Sequence, residues 1–224
     1  MEKLLDEIES YWSTRTEGYS EVNHKELAGT QKNAWLKVLT SQFPDKPKEE
    51  IRILDIGTGP GFFPVILAEA GYHVDAVDYT EGMLEKAKEN AGDLCRNIRF
   101  LRMDAQKLDF EDNTFDVVIS RNLTWNLEHP DVAYREWVRV LKVGGRLLNF
   151  DANWYGYLYE EEQRKAYEND RKNVENNSLD DHYLCTDIER MERIALQVPL
   201  SKIRRPEWDV KTLREAGLLG IHTD

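Results

Sequence analysis

The sequence predicts an α/β fold in which helices cover both faces of a mostly parallel, doubly wound sheet. From residue 51 onward, short apolar runs alternate with amphipathic segments of about ten residues, a pattern typical of βαβ units. The first apolar run ends in a glycine-rich loop, where a parallel sheet commonly binds its ligand. Crossover connections in such a sheet are right-handed in nearly all proteins. We therefore expect a ligand crevice at the carboxyl ends of the strands.

Size and composition limit the classes of protein to consider. The chain has 224 residues, of which 41% are hydrophobic and 32% charged, as expected for one soluble domain with a modest insertion. It has no run of about 18 apolar residues that would predict a membrane span, and acidic residues near the start argue against a secretory signal. Cys95 and Cys185 lack metal-ligand spacing, so we interpret them as reduced thiols. These features predict a cytoplasmic protein.

The charge of the chain bears on its partners. Its formal net charge is −12 at pH 7, whereas nucleic-acid binding draws its affinity from lysine and arginine contacts with phosphates. The basic run at 202–205 is short, and we interpret it as a solvated loop face. We therefore expect a small-molecule substrate, with neither nucleic acid nor membrane as a partner.

Residues 1–45 predict an N-terminal helical cap. Apolar residues recur at helical spacing at the very start of the chain. A polar stretch at 13–23, which contains Gly18, is expected to interrupt this helix, and a second helix is expected to begin near His24. Two prolines then predict a linker to the core.

The core, residues 46–151, is predicted from five apolar runs and the residues that end them. Gly71 is expected to close the first helix, Thr80 to cap the start of the second, and Pro130 to open the third. The glycine pair at 144–145 is expected to form the turn before the last strand. The predicted strands are 51–56, 72–78, 98–103, 115–120 and 146–151, and the predicted helices are 62–70, 81–91 and 130–141.

Residues 152–208 interrupt the alternation and predict a helical insertion that packs over the strand ends as a substrate lid. Helical spacing returns at 161–174 and 187–198. Residues 209–224 then predict one more helix and the start of a sixth strand at Leu218. A sheet that stops there leaves the fifth strand with an open edge. We expect either a truncated chain or an edge completed by the insertion or a second subunit, which gives a monomer or a homodimer.

The loop after the first strand is the most informative part of the sequence, and it reads Asp55-Ile56-Gly57-Thr58-Gly59-Pro60-Gly61. Glycines let the backbone turn sharply and approach a ligand that a Cβ would exclude. The following helix directs free backbone N–H groups toward the same place, where a carboxylate or phosphate can bind. A dinucleotide loop requires Gly-x-Gly-x-x-Gly, and that spacing fails here at Phe62 and at Pro64. The spacing present is Asp-x-Gly-x-Gly-x-Gly.

This loop resembles the cofactor loop of the class I S-adenosylmethionine-dependent methyltransferases. Three further matches follow in order: Asp78 at the end of the second strand, Met103-Asp104-Ala105-Gln106 after the third, and the fourth strand with its continuation to Leu123. The resemblance covers about residues 50–151. It implies a Rossmann-like sheet and S-adenosyl-L-methionine as the cofactor, with S-adenosyl-L-homocysteine as the product.

The resemblance also implies roles for individual residues. Asp78 is expected to accept hydrogen bonds from both ribose hydroxyls, and Asp104 to accept one from the adenine amino group. The backbone N–H of Ala105 is expected to meet the adenine ring. Phe62 and Met83 are expected near the cofactor, although plain core packing is the better explanation for each. The expected cofactor-binding residues are Asp55, Gly57, Thr58, Gly59, Gly61, Phe62, Asp78, Tyr79, Met83, Asp104, Ala105, Gln106, Arg121, Asn122, Leu123 and Tyr19.

Residues that bind the methyl acceptor are expected outside the sheet. Residues 11–19 resemble the entry segment that many small-molecule members fold over the cofactor, and Arg15 or Arg121 is a candidate partner for a ligand carboxylate. Aromatic residues after the fourth and fifth strands would suit a planar or cationic acceptor. Packing within the cap or the insertion explains each of them equally well. The candidates are Trp12, Arg15, Trp125, Asn126, Trp154, Tyr155 and Tyr157, with Asp151 and Asn153 beside them.

The predicted reaction is in-line transfer of the sulfonium methyl group to a small molecule. Because that methyl group is already electrophilic, the protein mainly has to orient the acceptor and exclude water. A general base is needed only for an acceptor that arrives protonated, so no catalytic residue is assigned. No metal site is predicted, because no two histidines have ligand spacing. His129 is interpreted as a surface residue, and a base role for His182, beside two aspartates, has no support.

Three other functions stay open at this point. An NAD(P)-dependent oxidoreductase has a similar sheet, but Phe62 replaces the glycine of its loop and no Tyr-x-x-x-Lys pair is present. Methylation of RNA or protein is opposed by the acidic balance and by the absence of an Asn-Pro-Pro-Tyr-like segment after the fourth strand. A protein that binds the cofactor without turnover also fits the sequence.

Overall fold

The computed structural model describes residues 4–177 and 186–223, and its central element is a five-stranded sheet. All strands run parallel, in the order β3-β2-β1-β4-β5. The order reverses between β1 and β4, and such a switch point opens a crevice at the carboxyl ends of the strands. The strands are β1 (Arg52–Ile56), β2 (His73–Asp78), β3 (Ile98–Arg102), β4 (Phe115–Arg121) and β5 (Leu141–Phe150). The predicted parallel, doubly wound sheet is confirmed.

Helices connect the strands and cover both faces of the sheet. The α-helices are α1 (Leu4–Ala28), α2 (Gln31–Thr40), α3 (Phe62–Glu69), α4 (Glu81–Ala91), α5 (Pro130–Val140), α6 (Glu161–Asn177), α7 (Ile188–Ala195) and α8 (Glu207–Glu215). Short 3-10 turns occur at Lys48–Glu50, Gly92–Asn97, Thr124–Asn126, Gly156–Leu158 and Pro199–Lys202. The three predicted core helices and the first four predicted strands are confirmed to within one residue at each end. The helices of the 152–208 region begin within one residue of their predicted starts.

Alternating side chains place the core on both faces of the sheet. In β1, Ile53 packs toward α2 and α3 on one face, whereas Leu54 and Ile56 pack toward α5 and α8 on the other. In α5, Tyr134 and Trp137 are fully buried against the second face. The strands whose carboxyl ends form the candidate site are therefore packed against helices on both faces of the sheet.

A third apolar cluster lies outside the sheet and joins α1 to α7. It contains no strand residue, so it packs beside the carboxyl ends of the strands instead of within the sheet. Its buried members are Ile8, Tyr11, Trp125, Tyr155, Tyr157, Met191, Ile194, Ala195 and Val198.

The predicted interruption of the first helix at 13–23 is wrong, because α1 runs without a break through this polar stretch. The polar residues face α4, where they find polar partners: Ser20 Oγ lies 3.4 Å from Asn90 Nδ2, and Glu17 pairs with Lys86 at 3.0 Å. Thr16 is buried at the same contact. Tertiary pairing thus offsets the weak helix propensity of this stretch.

Two predictions at the end of the sheet are also wrong. The expected strand at Leu218 does not form, because Gly217 and Gly220 adopt left-handed backbone conformations and Leu218 packs on the core as part of an irregular segment. The fifth strand begins at Leu141 and not at Arg146, so the expected glycine turn lies within it, at an irregularity in its pairing with β4. β5 forms one edge of the sheet among the described residues, and the homodimer stays a prediction.

The basic run at 202–205 is not wholly a solvated loop face. The Arg205 side chain is only 8% exposed and pairs with Asp151 at 3.0 Å and with Asp209 at 2.7 Å. Asp209 also accepts a hydrogen bond from the Tyr134 hydroxyl, and Asp151 from the Thr124 hydroxyl. Buried charges are stable only when paired in this way, and this network joins the end of β5 to α5 and α8.

Asp116 at the start of β4 holds the linker and the start of β5 together. Its side chain is 3% exposed and accepts hydrogen bonds from Lys46 Nζ (2.6 Å), Lys142 Nζ (2.7 Å) and the Arg52 backbone N–H (3.0 Å). Burial by itself would raise the pKa of Asp116, but the three donors outweigh it and lower the pKa to about 2. The ionised carboxylate therefore stabilises the folded state.

We predict that Asp116→Asn lowers the free energy of unfolding by about 2 kcal/mol at pH 7. Because the folded-state pKa lies below the ordinary aspartate value, this contribution is present above about pH 4 and is lost as the pH falls toward about 2. Urea denaturation at pH 7 and pH 3 measures the difference from the wild type, which should shrink at pH 3. The control is Asp93→Asn at an exposed site. An equal loss at both pH values would contradict the assignment.

Candidate functional site

A crevice with about 830 Å³ of empty space, part of which is open solvent, lies at the carboxyl ends of β1, β2 and β4, under α1. The lining residues from α1 are Leu5, Ile8, Glu9, Trp12 and Tyr19. Those from β1, β2, α4 and the segment after β3 are Ile56, Gly57, Gly59, Val77, Asp78, Tyr79, Thr80, Met83, Met103, Asp104 and Ala105. Those from the end of β4 onward are Arg121, Asn122, Leu123, Asn126, Leu127 and Glu128.

The glycine loop forms the floor of the cavity. The N–H of Gly57 donates to the carbonyl of Val77 at 2.8 Å, which fastens the loop to β2. Gly61 has a φ of +91°, and a Cβ at this position would lie 3.0 Å from the Cβ of Ala87 in α4. Glycine is therefore required at Gly61 both by backbone conformation and by the close approach of α4. Gly61 itself does not line the cavity; it positions Gly57 and Gly59, which do.

Asp78 connects the loop to the start of α4. Its Oδ2 accepts the N–H of Gly59 at 2.8 Å, and its Oδ1 accepts the N–H of Thr80 at 2.9 Å. Burial raises the pKa of the Asp78 carboxyl, and the donors from Thr80 and Gly59 partly oppose that rise. Thr80, predicted as a helix cap, makes no side-chain cap bond to α4. The carboxylate lines the cavity with one backbone donor on each oxygen.

Asp55 and Thr58 lie beneath the loop and do not line the cavity. Asp55 is 2% exposed, and burial raises its pKa to about 7. Both residues support the loop from the sheet side. The sequence prediction placed them in contact with the cofactor, whereas the structure gives them a supporting position.

The segment after β3 presents Asp104 and Ala105 to the cavity. Oδ1 of Asp104 accepts both the backbone N–H of Gln106 (2.9 Å) and its side-chain amide (3.0 Å). The amide oxygen of Gln106 accepts the backbone N–H of His129 at 2.6 Å. Gln106 therefore does not line the cavity; it fixes the orientation of Asp104 and ties it to the start of α5.

Arg121 lines the cavity but is already paired. Its guanidinium makes two bonds to Glu26 of α1, at 3.1 Å and 2.7 Å, and lies over the rings of Trp35 and Phe62. The expected pairing of Arg121 with a ligand carboxylate is thus replaced by a pairing inside the protein that holds α1 against the end of β4. Phe62 is core packing beneath Arg121 and does not line the cavity, whereas Met83 does.

Asn122, Leu123 and Tyr19 close the cavity above the loop. Asn122 has a φ of +55°, and its N–H donates to the carbonyl of Phe150 at 2.8 Å. The Leu123 side chain lies so close to Gly57 that a Cβ there would be 2.7 Å from it. The Tyr19 ring lies over Gly59, at 3.7 Å from the position of a Cβ. A side chain on either glycine would therefore meet the wall of the site.

Helix α1 supplies wall residues that the sequence analysis missed. Leu5, Ile8 and Glu9 line the cavity together with the predicted Trp12 and Tyr19. Their spacing of three and four residues places them on one face of the helix. In the sequence, counting three or four residues at a time along the helix from Trp12 would have identified them. Arg15, the other candidate in this segment, does not line the cavity.

Most of the predicted acceptor residues lie elsewhere. Asn126 lines the cavity, but Trp125, Tyr155 and Tyr157 are buried in the third apolar cluster, where Trp125 stacks on Tyr155 with ring centres 5.1 Å apart. Trp154 is 48% exposed. For Trp125, Tyr155 and Tyr157, packing in an apolar cluster is the arrangement observed. Asp151, the other residue named after the fifth strand, is buried in its pair with Arg205.

The remaining polar candidates do not add a catalytic group. The exposed ring of His129 lies 3.7 Å from Glu128, as expected of a surface residue. His182 and Cys185 lie outside the described residues.

Within the described ranges, no group of three or more His, Cys, Asp or Glu side chains is arranged to hold a metal ion. Over the same ranges, none of the helices has the length and apolar character needed to span a bilayer.

Comparison with known proteins agrees with this geometry. Residues 54–149 match the family model of the methyltransferase domain. The demethylmenaquinone methyltransferase of Clavibacter sepedonicus is 41% identical over 98 residues, which cover 43% of this chain and 39% of the relative. The protein of the same name from Renibacterium salmoninarum is 31% identical over 148 residues, covering 66% and 60%. Residues 54–149 form a methyltransferase domain similar to that of these relatives.

The shared fold extends beyond the matched methyltransferase domain. A solved structure of a candidate S-adenosylmethionine-dependent methyltransferase from Methanococcus maripaludis superposes with a TM-score of 0.61 at 21% identity. It covers 92% of this chain and 84% of the other. By contrast, the chain aligns with only 39% to 60% of the length of the two demethylmenaquinone methyltransferases. Helix α1, which roofs the cavity, lies outside residues 54–149.

We predict that Gly61→Ala lowers the free energy of unfolding by about 2–3 kcal/mol, because the new Cβ meets α4 and the left-handed φ strains it. The matched control is Gly71→Ala, where φ is +90° but nothing lies within 4 Å of the new Cβ. It should lose only about 1 kcal/mol, the backbone part of the effect. Urea denaturation of both variants measures the difference. Equal losses would show that the close approach of α4 does not require this glycine.

Proposed function

We propose that this protein transfers the methyl group of S-adenosyl-L-methionine to a small-molecule acceptor, leaving S-adenosyl-L-homocysteine. The observation that carries the proposal is the convergence of Gly57, Gly59, Asp78 and Asp104 on one cavity at the switch point of the sheet. These are the residues to which the family resemblance assigns the cofactor. The match to the methyltransferase domain supports the same reaction type.

The residues present fit an adenosyl ligand. The Asp78 carboxyl lines the cavity and is held by the backbone N–H groups of Gly59 and Thr80, in the position that the family resemblance assigns to the ribose. Both intramolecular bonds to Asp104 go to Oδ1, which leaves Oδ2 for an amino group. The apolar side chains of Met83, Met103 and Leu127 are suited to a purine ring between them.

The chain contributes binding, orientation and exclusion of water to this reaction. When bound, S-adenosyl-L-methionine supplies a methyl group that is already activated by its sulfonium. The roof of Leu5, Ile8 and Trp12 covers one side of the cavity and limits the access of water, which favours transfer to the acceptor over hydrolysis. We propose that residues 1–45 act as a cap and that α1, within this cap, forms the roof. We also propose that residues 152–208 support α1 through the third apolar cluster, which joins α1 to α7.

The position of the cavity favours a small acceptor. The cavity is bounded on one side by the strand ends and on the other by α1, which contacts α4 through Glu17 and Ser20. A polymer substrate needs an open groove, and the formal charge of −12 adds repulsion against nucleic acid. Both features support a metabolite as the acceptor.

We predict that S-adenosylhomocysteine binds to the purified chain and that Asp78→Asn weakens its binding about 10- to 100-fold, because charge-assisted hydrogen bonds to the ribose are lost. Calorimetric titration measures the dissociation constants. Asp75→Asn is the matched control, since Asp75 lies on the same strand but pairs with Arg99 outside the cavity.

Titration with NADH tests the alternative function, an NAD(P)-dependent oxidoreductase. Binding of NADH in place of S-adenosylhomocysteine would reject the proposal in favour of an oxidoreductase. Equal effects of the Asp78 and Asp75 substitutions would reject the assigned position of the ribose.

A further inference from the structure

The chain that follows β4 forms one wall of the cavity, and we call residues 122–126 the wall segment. Three of its members, Asn122, Leu123 and Asn126, line the cavity. The Leu123 side chain lies directly against Gly57 of the glycine loop, so the position of the wall segment sets the space above that loop. Binding of a ligand in this space therefore depends on how firmly the wall segment is held.

The other two members of the wall segment attach it to Asp151, the residue directly after β5. Oδ2 of Asp151 accepts hydrogen bonds from the Thr124 hydroxyl and from the Trp125 backbone N–H, the latter at 3.0 Å. Both Thr124 and Trp125 are buried and neither lines the cavity. Charge-assisted hydrogen bonds of this kind are shorter and stronger than neutral ones. Asp151 thus holds the wall segment from the side that faces away from the ligand.

Arg205 fixes Asp151 in turn. Its Nη1 pairs with Asp151 Oδ2 at 3.0 Å, and its Nη2 donates to the Thr124 hydroxyl oxygen at 2.8 Å. Asp209 accepts two further bonds from the same guanidinium, at 2.7 Å and 2.8 Å. The side chains of Arg205 and Asp151 are 8% and 1% exposed, so separating them would leave a buried charge unpaired. Because Arg205 belongs to residues 152–208, the position of the wall segment depends on that region.

The order of the strands indicates which part of the methyl donor meets the wall segment. The proposed function places adenine at Asp104, after β3, and the ribose at Asp78, at the end of β2. In the order β3-β2-β1-β4-β5, a ligand that starts at β3 and passes β2 reaches β1 and β4 with its remaining part. In S-adenosyl-L-methionine that part is the sulfonium and the amino-acid chain. The wall segment at the end of β4 therefore lies beside the end of the ligand that carries the methyl group.

The adenine side of the cavity has a separate anchor. The backbone N–H of His129 donates to the amide oxygen of Gln106 at 2.6 Å, and Gln106 also donates two bonds to Asp104. These contacts do not pass through Asp151. Loosening Asp151 should therefore disturb the cavity at β4 and leave the adenine side in place.

We propose that Asp151, fixed by Arg205, is a positioning residue for the amino-acid end of the methyl donor. Neither side chain lines the cavity, so both act through the wall segment. The inference rests on the proposed function, because it takes S-adenosyl-L-methionine as the ligand. The orientation of this end matters for transfer, since a displacement of about 1 Å can slow a reaction about 100-fold.

Two nucleosides that differ at this end provide the test. S-adenosylhomocysteine carries the amino-acid chain, whereas 5′-methylthioadenosine has the same adenosine and a sulfur without that chain. Calorimetric titration gives both dissociation constants, and the wild type should bind S-adenosylhomocysteine at least about tenfold more tightly. Asp151→Asn removes the charge that holds the wall segment. It should weaken S-adenosylhomocysteine at least about fivefold and change 5′-methylthioadenosine less than about twofold.

Asp116→Asn is the matched control, because Asp116 is a similarly buried, ion-paired aspartate at the opposite end of the sheet. It should lower stability and leave the ratio of the two dissociation constants unchanged. Thr124→Val is a milder variant that removes the hydroxyl bonded to both Asp151 and Arg205 while the buried charges stay paired. It should reduce the preference for S-adenosylhomocysteine at least about twofold, and it carries the test if Asp151→Asn does not fold.

The outcomes separate the two proposals. Failure of S-adenosylhomocysteine to bind would overturn both. If it binds no more tightly than 5′-methylthioadenosine, or if its preference is unchanged in the folded Asp151 and Thr124 variants, only the present inference fails. An equal loss of preference in Asp116→Asn would also overturn it, because lowered stability would then be the cause.

Discussion

The attachment of the glycine loop to the Asp78 carboxylate is the interaction on which the site depends. One oxygen holds Gly59 at 2.8 Å and the other holds Thr80 at 2.9 Å, so a single side chain sets the distance between the end of β1 and the start of α4. Burial makes the charged carboxylate costly, which is seen in its raised pKa. The Asp78 carboxyl thus both anchors the loop and forms part of the cavity wall.

Helix α1 is the second part of the site, and its position depends on polar contacts. The Arg121–Glu26 pair holds its C-terminal part at the end of β4, while Ser20 and Glu17 face α4. Apolar contacts add to these at both ends of the helix, through Ile8 and Tyr11 in the third cluster and through Leu27 against the core. The helix that roofs the cavity is therefore held by polar pairs in its middle and by apolar packing near its ends.

The parts of the fold that the sequence predicted are those determined by local pattern. Apolar runs, glycine spacing and Pro130 predicted the limits of the first four strands and the three core helices to within a residue, because periodicity and backbone preference depend on neighbouring residues. Two further errors occurred where distant residues decide the outcome. The stretch at 13–23 is helical because α4 supplies partners, and Arg205 is buried because β5 and α8 bring Asp151 and Asp209 to it.

The candidate site likewise combines residues that the sequence predicted with residues that only the fold brings together. The glycine loop, Asp78 and Asp104 follow a fixed spacing along the chain, so a resemblance to other methyltransferases was enough to name them. Glu9 and Glu128 come from segments 119 residues apart in the numbering and belong to no shared motif, so only the fold brings them to one cavity. The aromatic residues after β5 misled the analysis because an apolar cluster and an acceptor pocket require the same residue types.

The division between the two halves of the cavity has a consequence for substrate choice. The part of the cavity formed by the glycine loop, Asp78 and Asp104 belongs to the matched methyltransferase domain, whereas the roof is built by α1, outside that domain. Residues of the roof can therefore change the acceptor without disturbing the loop held by Asp78.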